Sequence, residues 1–386
     1  MSDTLNLAFP TLAGLEEVLA EEVRNLGAVE VKAGRRVVTA TGSMEVVYRA
    51  NLELRTALRV LINIDTFRVR SEQDLYDRLR AHNWRKFLLP EGTLIVDVVD
   101  TGRYFRNTHY IAQLTKDAVV DQFRAKYGTR PGVDKDEPDL RIHLLITGRG
   151  NVVLSVDSSG EGLHRRGYRR KTGEAPINEV LAAGLLQIAG YTGDQVLVDP
   201  MCGSGTFLAE AAAVATRRPA GMLREFGFQR WPDFDQGTYS QVRQRALDRI
   251  RPAPYPILGA DVDGIAIAIT KATLERAQVS SAVTLRESDF SELLPPHVRT
   301  DEEIEKLLVT NPPYEMRMQT GDIEAFYQTI GDTLKTNWAG YTAWIISANP
   351  AAVKSVGLRS SAKIPVMNGP VEARFVRYDL YRGSRS

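Results

Sequence analysis

The chain has 386 residues, with 49 Lys plus Arg against 48 Asp plus Glu, 43% hydrophobic residues, five histidines and a single cysteine. Its length gives room for two or three domains with buried cores, and its composition excludes wholesale disorder. One cysteine excludes an intrachain disulfide and any zinc site built on paired cysteines. No apolar run approaches the roughly 18 to 20 residues of a membrane span, and the acid-bearing start MSDTLNLAFPTLAGLEEVLAEE is unlike a basic secretory leader. The expectation is a cytoplasmic, monomeric chain with no membrane or metal partner. A net charge of +1 also counts, on first reading, against a nucleic-acid partner.

Small α and β units come first. Leu5, Leu7 and Phe9 alternate as a half-buried strand, and Leu15, Val18, Leu19, Val23 and Leu26 then repeat at helical spacing, with Gly27 placed to end that helix. A β pair follows over 29–40. The pattern restarts with the apolar strand VLINIDTF, then Ser71 as the N-cap of a helix carrying Leu75 and Leu79. Leu94, Val96 and Val98 form a strand, a long helix runs over 110–127 to Gly128, and two alternating strands close the region. The reading is one or two α+β modules over 1–160, divided at 55/56. The segment SSGEGLHRRGYRRKTGEAPIN has no apolar period and makes 161–190 a basic linker with a helix from Val180 to Ala189.

Beyond residue 190 the texture becomes α/β. QVLVDP, YPILGADVD, AVTLRESDF, KLLVTNPPY and YTAWIISAN are apolar strands followed by turns, with helices between them. That rhythm predicts a Rossmann-like, mostly parallel sheet over 191–386, closed by an antiparallel hairpin at Asn368-Gly369.

The first of these strands runs into DPMCGSGT, residues 199–206. Gly203 and Gly205 permit a tight turn and close approach of a ligand, and the helix starting at Thr206 presents free N–H groups to it. Asp199 and Pro200 precede the glycines, where an acid would repel a pyrophosphate and suit a cationic ligand. Asp261 ends the next strand, placed for two ribose hydroxyls, and Asp289 ends the third, within reach of an adenine amino group. Each aspartate alone reads equally well as a solvated strand end, but three in register behind a glycine loop read as one site. A nucleoside with a positive centre and no phosphate fits it, and S-adenosylmethionine is such a molecule. Cys202 has no neighbouring base and reads as packing, while Asp263 reads as a helix N-cap.

The fourth strand ends in Asn311-Pro312-Pro313-Tyr314. The two prolines remove two backbone donors and keep the chain extended, so the Asn311 side-chain oxygen and the Pro312 carbonyl can converge. Two adjacent acceptors suit an exocyclic NH2 group on a planar ring, and Tyr314 offers a face for that ring.

DPMCGSGT together with NPPY resembles the class I S-adenosylmethionine-dependent methyltransferases that act on exocyclic amines. PDLRIHLLI, NVVLSVDSSGEGLHRRGYR and APINEVLAAGLL resemble the end of a THUMP domain and its junction with such an enzyme. Nearly the whole chain is similar to the N-terminal half of the bacterial 23S rRNA guanine-N2 methyltransferases. The resemblance implies a ferredoxin-like module and an RNA-binding THUMP domain ahead of the catalytic domain, with structured RNA as partner: 23S rRNA or its precursor, with tRNA as the alternative. It assigns Asp199, Gly203, Gly205, Asp261 and Asp289 to the cofactor, Pro176 and Ile177 to its border, and Asn311, Pro312 and Tyr314 to the target base. Glu315 stands where the family has glycine.

HRRGYRRK places Arg165, Arg166, Arg169, Arg170 and Lys171 around Tyr168. Cations interleaved with an aromatic are expected to contact RNA phosphates and stack on a base. Three rival functions share parts of this pattern: DNA adenine-N6 methylation, protein glutamine methylation, and RNA binding with a vestigial site.

Overall fold

Leu7 and Phe9 point inward from β1 (Leu5–Pro10), the strand on which the first sheet is built. The structure of the chain is a computed structural model, which describes residues 4–169, 177–298, 303–313 and 320–381. After β1 come α1 (Glu16–Asn25), β2 (Val29–Gly34), β3 (Val37–Gly42), α2 (Met44–Glu53), β4 (Leu61–Arg68) and α3 (Glu72–Ala81). The sequence continues through β5 (Thr93–Asp100), α4 (Thr108–Tyr127), β6 (Gly132–Val133), β7 (Leu140–Thr147) and β8 (Asn151–Asp157). Ser71 caps α3 by accepting from the Asp74 N–H. In β7, residues 140, 142, 144 and 146 are buried and their neighbours half-buried, as the alternation predicts.

These eight strands form one sheet in the order β2-β3-β1-β4-β8-β7-β5-β6. The boundary expected at 55/56 does not divide it, because β4 pairs with β1 on one edge and with β8 on the other. The exit of β8 is anchored by polar contacts: Arg59 pairs with the buried Asp157, and the Asn51 amide donates to Ser158 Oγ at 2.8 Å while its oxygen accepts from Ser159 Oγ at 2.7 Å.

The chain divides into two compact units. The first holds Met1–Thr11, Leu19–Leu163 and Arg224–Arg245; the second holds Leu12–Val18, His164–Leu223 and Ala246–Ser386. The expected catalytic domain, 191–386, therefore lends 224–245 to the first unit. Aromatic packing explains why: Phe228 lies 4.6 Å from Tyr48 on α2 and 5.2 Å from Tyr239, ring centre to ring centre.

The second unit contains α5 (Glu179–Ile188), β9 (Val196–Asp199) and α6 (Thr206–Ala215), whereas α7 (Gln236–Leu247) lies almost wholly in the segment lent to the first unit. Then come β10 (Ile257–Asp261), α8 (Gly264–Arg276), β11 (Val283–Glu287), β12 (Lys306–Thr310), α9 (Thr320–Asn337), β13 (Thr342–Ser347), α10 (Pro350–Ser355), β14 (Ala362–Asn368) and β15 (Val371–Asp379). Their sheet runs β11-β10-β9-β12-β13-β15-β14, parallel except for the final strand pairs. Helices cover both faces. Leu181, Leu185, Phe207 and Leu274 pack one side, and Tyr327, Leu334 and Ala352 the other. The doubly wound fold with its closing hairpin is as expected. Among the described residues no helix is long and apolar enough to cross a membrane, and no cluster of acids, histidines and cysteine has metal-binding form.

Candidate active site

Strand order brings four carboxyl ends side by side. Asp199 on β9 pairs with Gly259 on β10, and Leu308 on β12 pairs with Val198, so Asn311 stands one strand away from Asp199. The winding direction reverses between β9 and β12, and the connections leave that point on opposite sides, opening a crevice above it.

The loop over this crevice is shaped by two left-handed glycines, Gly203 at φ 52° and Gly205 at φ 77°. A Cβ on Gly205 would stand 2.7 Å from Thr270 Cγ2, so only glycine fits, whereas nothing lies within 4 Å of the same point on Gly203. The loop is held from three sides. Cys202 N–H donates to the Ala260 carbonyl at 2.9 Å, Thr270 Oγ1 donates to the Gly203 carbonyl at 2.7 Å, and Gly203 N–H donates to Asp261 Oδ2 at 2.9 Å. Gly205 caps α6 without a side-chain acceptor, which leaves the first N–H groups of that helix available to a ligand. Cys202 is buried, and burial pushes its thiol well up, in keeping with a packing role.

Asp199 is 2% exposed. Its Oδ1 accepts the Met201 N–H at 3.4 Å and the neighbouring Thr310 side chain also favours the carboxylate, but no lysine or arginine among the described residues pairs with it. Burial, reinforced by the Asp261 carboxylate, pushes the Asp199 carboxyl up to about 7. A buried acid without a cation is costly to ionise, so this strand end suits a ligand that brings positive charge. Pro200 beside it is buried.

Asp261 ends β10 as expected and accepts the Asp263 N–H at 3.1 Å with its other oxygen. Asp263 caps α8 by accepting from Ile265 N–H. Asp289 departs in detail from its expected place: β11 stops at Glu287, two residues earlier. Asp289 is exposed, and its Oδ1 accepts from Ser291 N–H at 2.7 Å and Ser291 Oγ at 2.6 Å. The Ser288 N–H donates to the Asp261 carbonyl at 3.0 Å, which keeps this turn alongside β10.

At the end of β12, Asn311 is half-buried and Pro312 buried. Asn311 Oδ1 is shielded from solvent and has no hydrogen-bond partner among the described residues. An orphaned buried acceptor costs roughly 1–3 kcal/mol, and a strand-end crevice is where such a cost marks a binding function. Tyr314 and Glu315 lie outside the described residues, as do Pro176, Arg170 and Lys171.

The basic junction requires a correction. Arg165 is exposed, but Arg166 is 3% and Tyr168 5% exposed, so neither presents a face to RNA. Both meet Glu210 in the interior of α6: Arg166 Nε lies 3.3 Å from Glu210 Oε1, and Tyr168 OH donates to the same oxygen at 2.9 Å. Arg169 is turned inward as well, onto Glu179 at 3.3 Å, the Ile177 carbonyl at 3.0 Å and Thr206 Oγ1 at 2.7 Å. Ile177 is buried in the apolar core. The signal for this arrangement stands in TFLAEAAAVA, where one glutamate in an otherwise apolar helix needs a buried cation. Thr270, by contrast, carries no sequence signal.

With this geometry in hand, comparison with known proteins is specific. A family described as RMKL-like, methyltransferase domain, matches residues 166–377. An RlmL ferredoxin-like domain matches 6–61, and a THUMP domain matches 69–157. A protein of Synechocystis provisionally named an RNA methyltransferase is 38% identical over 384 residues, covering 98% of each chain. The ribosomal RNA large subunit methyltransferase K/L of Marinomonas is 36% identical over 381 residues, covering 96% of this chain and 52% of that protein, so the chain spans about half of such K/L relatives. Among solved structures, a provisionally assigned methyltransferase in complex with SAH superposes over 100% of both chains with a TM-score of 0.86 at 26% identity.

Proposed function

The chain belongs to the RMKL-like methyltransferase family, and from that premise we propose that it transfers the methyl group of S-adenosylmethionine to the exocyclic N2 of a guanosine in structured RNA. The preferred substrate is 23S rRNA or its precursor, with tRNA second, and such a substrate places the protein in the cytoplasm. The observation that carries this reading is the orphaned, buried Asn311 Oδ1 one strand away from the cationophilic Asp199.

S-adenosylmethionine, when bound, supplies a methyl group already activated on a sulfonium. The residues of this chain then have to hold and orient. Asp199 is assigned the cofactor's ammonium group, Asp261 the ribose hydroxyls and Asp289 the adenine amino group, with Gly203, Gly205 and Thr206 presenting backbone at the turn. Asn311 Oδ1 and the Pro312 carbonyl are assigned the two N–H groups of the base, and Tyr314 its ring face. A ring-conjugated amine is a poor nucleophile because its lone pair is delocalised. Two acceptors on its hydrogens localise that pair, and in-line positioning does the rest. The ferredoxin-like and THUMP matches, together with the names of the relatives, support RNA as the carrier of the base.

The raised Asp199 carboxyl makes cofactor binding proton-linked. With an unliganded value of about 7, the group must give up its proton to pair with an ammonium. Affinity is therefore full above pH 7 and falls below it, toward tenfold per pH unit. Calorimetry in buffers of different ionisation enthalpy should record proton release near neutrality; an affinity constant from pH 6 to 8 removes Asp199 from this role. The substrate is tested by deleting the gene and mapping modified nucleosides in 23S rRNA and tRNA by mass spectrometry. Loss of one N2-methylguanosine is the expected result, and an unchanged set in both RNAs overturns the proposal.

A further inference from the structure

The inward-facing junction has a consequence for the cofactor loop. Arg169 offers a planar fork of donors, and three acceptors from two helix starts converge on it. They are the Ile177 carbonyl at 3.0 Å, just before α5, Glu179 Oε1 at 3.3 Å in its first turn, and Thr206 Oγ1 at 2.7 Å, the first residue of α6. Thr206 directly follows Gly205, and its hydroxyl lies 3.5 Å from Ser204 Oγ, inside the glycine loop. The backbone that carries Arg169 is itself fastened. The Tyr168 carbonyl accepts from Arg276 Nε on α8 at 2.6 Å, while Tyr168 OH and Arg166 grip Glu210 on α6. One short stretch thus binds α5, α6 and α8, the helices on one face of the strands that end at the crevice.

We propose that Arg169 is a positioning residue for the cofactor loop, locking the first residue of α6 against the entry of α5, and not an RNA contact. This rests on reading the glycine loop as the S-adenosylmethionine site. The physical ground is preorganisation. The N–H groups at the start of α6 hold a ligand only if the loop is already in its binding shape, and a charge-assisted bond from a fastened guanidinium supplies that rigidity. Lysine keeps the charge but cannot span three acceptors.

The test uses the full chain with Arg169→Ala, Arg169→Lys and Thr206→Val, because alanine strands the buried Glu179 without its cation whereas valine leaves that pair intact. Arg169→Ala is expected to weaken SAH binding and raise KM for S-adenosylmethionine about tenfold or more, with kcat at saturating cofactor unchanged. Arg169→Lys recovers part of the loss. Thr206→Val shows a smaller loss of the same kind and adds nothing to that of Arg169→Ala, since both remove the Arg169–Thr206 contact. RNA affinity and its salt dependence stay as in the wild type. Wild-type SAH affinity in both Arg169→Ala and Thr206→Val overturns the inference while leaving the loop's assignment intact. So does an RNA salt slope lowered by about one in Arg169→Ala with SAH binding unchanged, which returns the residue to phosphate contact. A wild-type chain that binds no SAH overturns the loop's assignment and this inference with it.

Discussion

Replacing Asn311 by Ala lowers the rate of methyl transfer about 100-fold or more, while SAH affinity stays at its wild-type value and the melting temperature stays level or rises. The rate loss follows from removing one of two acceptors that hold the acceptor amine; each preorganised contact of this kind lowers the barrier by about 2.7–4 kcal/mol. The retained stability follows from the structure. Asn311 Oδ1 is buried without a partner among the described residues, so deleting it removes an unpaid desolvation cost and breaks no described bond. An unfavourable group kept at a strand end trades stability for activity. Single-turnover transfer of labelled methyl to RNA, run beside SAH calorimetry, separates the two effects. Turnover within threefold of wild type would falsify the two-acceptor mechanism.

Asp261→Ala acts on the cofactor instead, weakening SAH binding by about 100-fold, with turnover at saturating cofactor largely kept. Two contributions add. Asp261 Oδ2 takes the Gly203 N–H at 2.9 Å and Oδ1 the Asp263 N–H at 3.1 Å, so its loss frees the glycine loop as well as removing the ribose acceptor. Charged hydrogen bonds at roughly 1.5–3 kcal/mol each make a two-decade loss the expected scale. Asp261→Asn keeps one acceptor oxygen and should fall between the two. If Asp261→Ala instead lowers turnover at saturating cofactor and spares affinity, the ribose assignment fails and Asp261 belongs with the reacting groups.

Much of the molecule was legible in its residues because local chemistry decided it. Apolar alternation in Leu140, Ile142, Leu144 and Ile146 marks a strand wherever it lies, and Ser71 and Asp263 cap helices through bonds that reach only two or three residues. DPMCGSGT was equally local, since its two left-handed glycines shape one turn, whereas the strand order that sets Asn311 beside that turn comes from the sheet.

What composition and local pattern left undecided was which way charge faces. HRRGYRRK reads as a solvated or RNA-facing patch because five cations close in sequence repel one another and seek water. Arg166, Tyr168 and Arg169 turn inward because Glu210 and Glu179, some tens of residues and fewer away, are buried acids that need them. The same holds for 224–245, which follows its aromatic partners on α2 into the first unit, and for the sheet that runs unbroken through 55/56. The balance of 49 cations and 48 acids thus says little about RNA: part of it is spent in pairs inside the protein, and part in the acids of the crevice. The residues alone determined the elements and the glycine turn after β9. Only the tertiary structure decided where the arginines point, because a buried charge takes the partner that folding brings to it and not the one beside it in sequence.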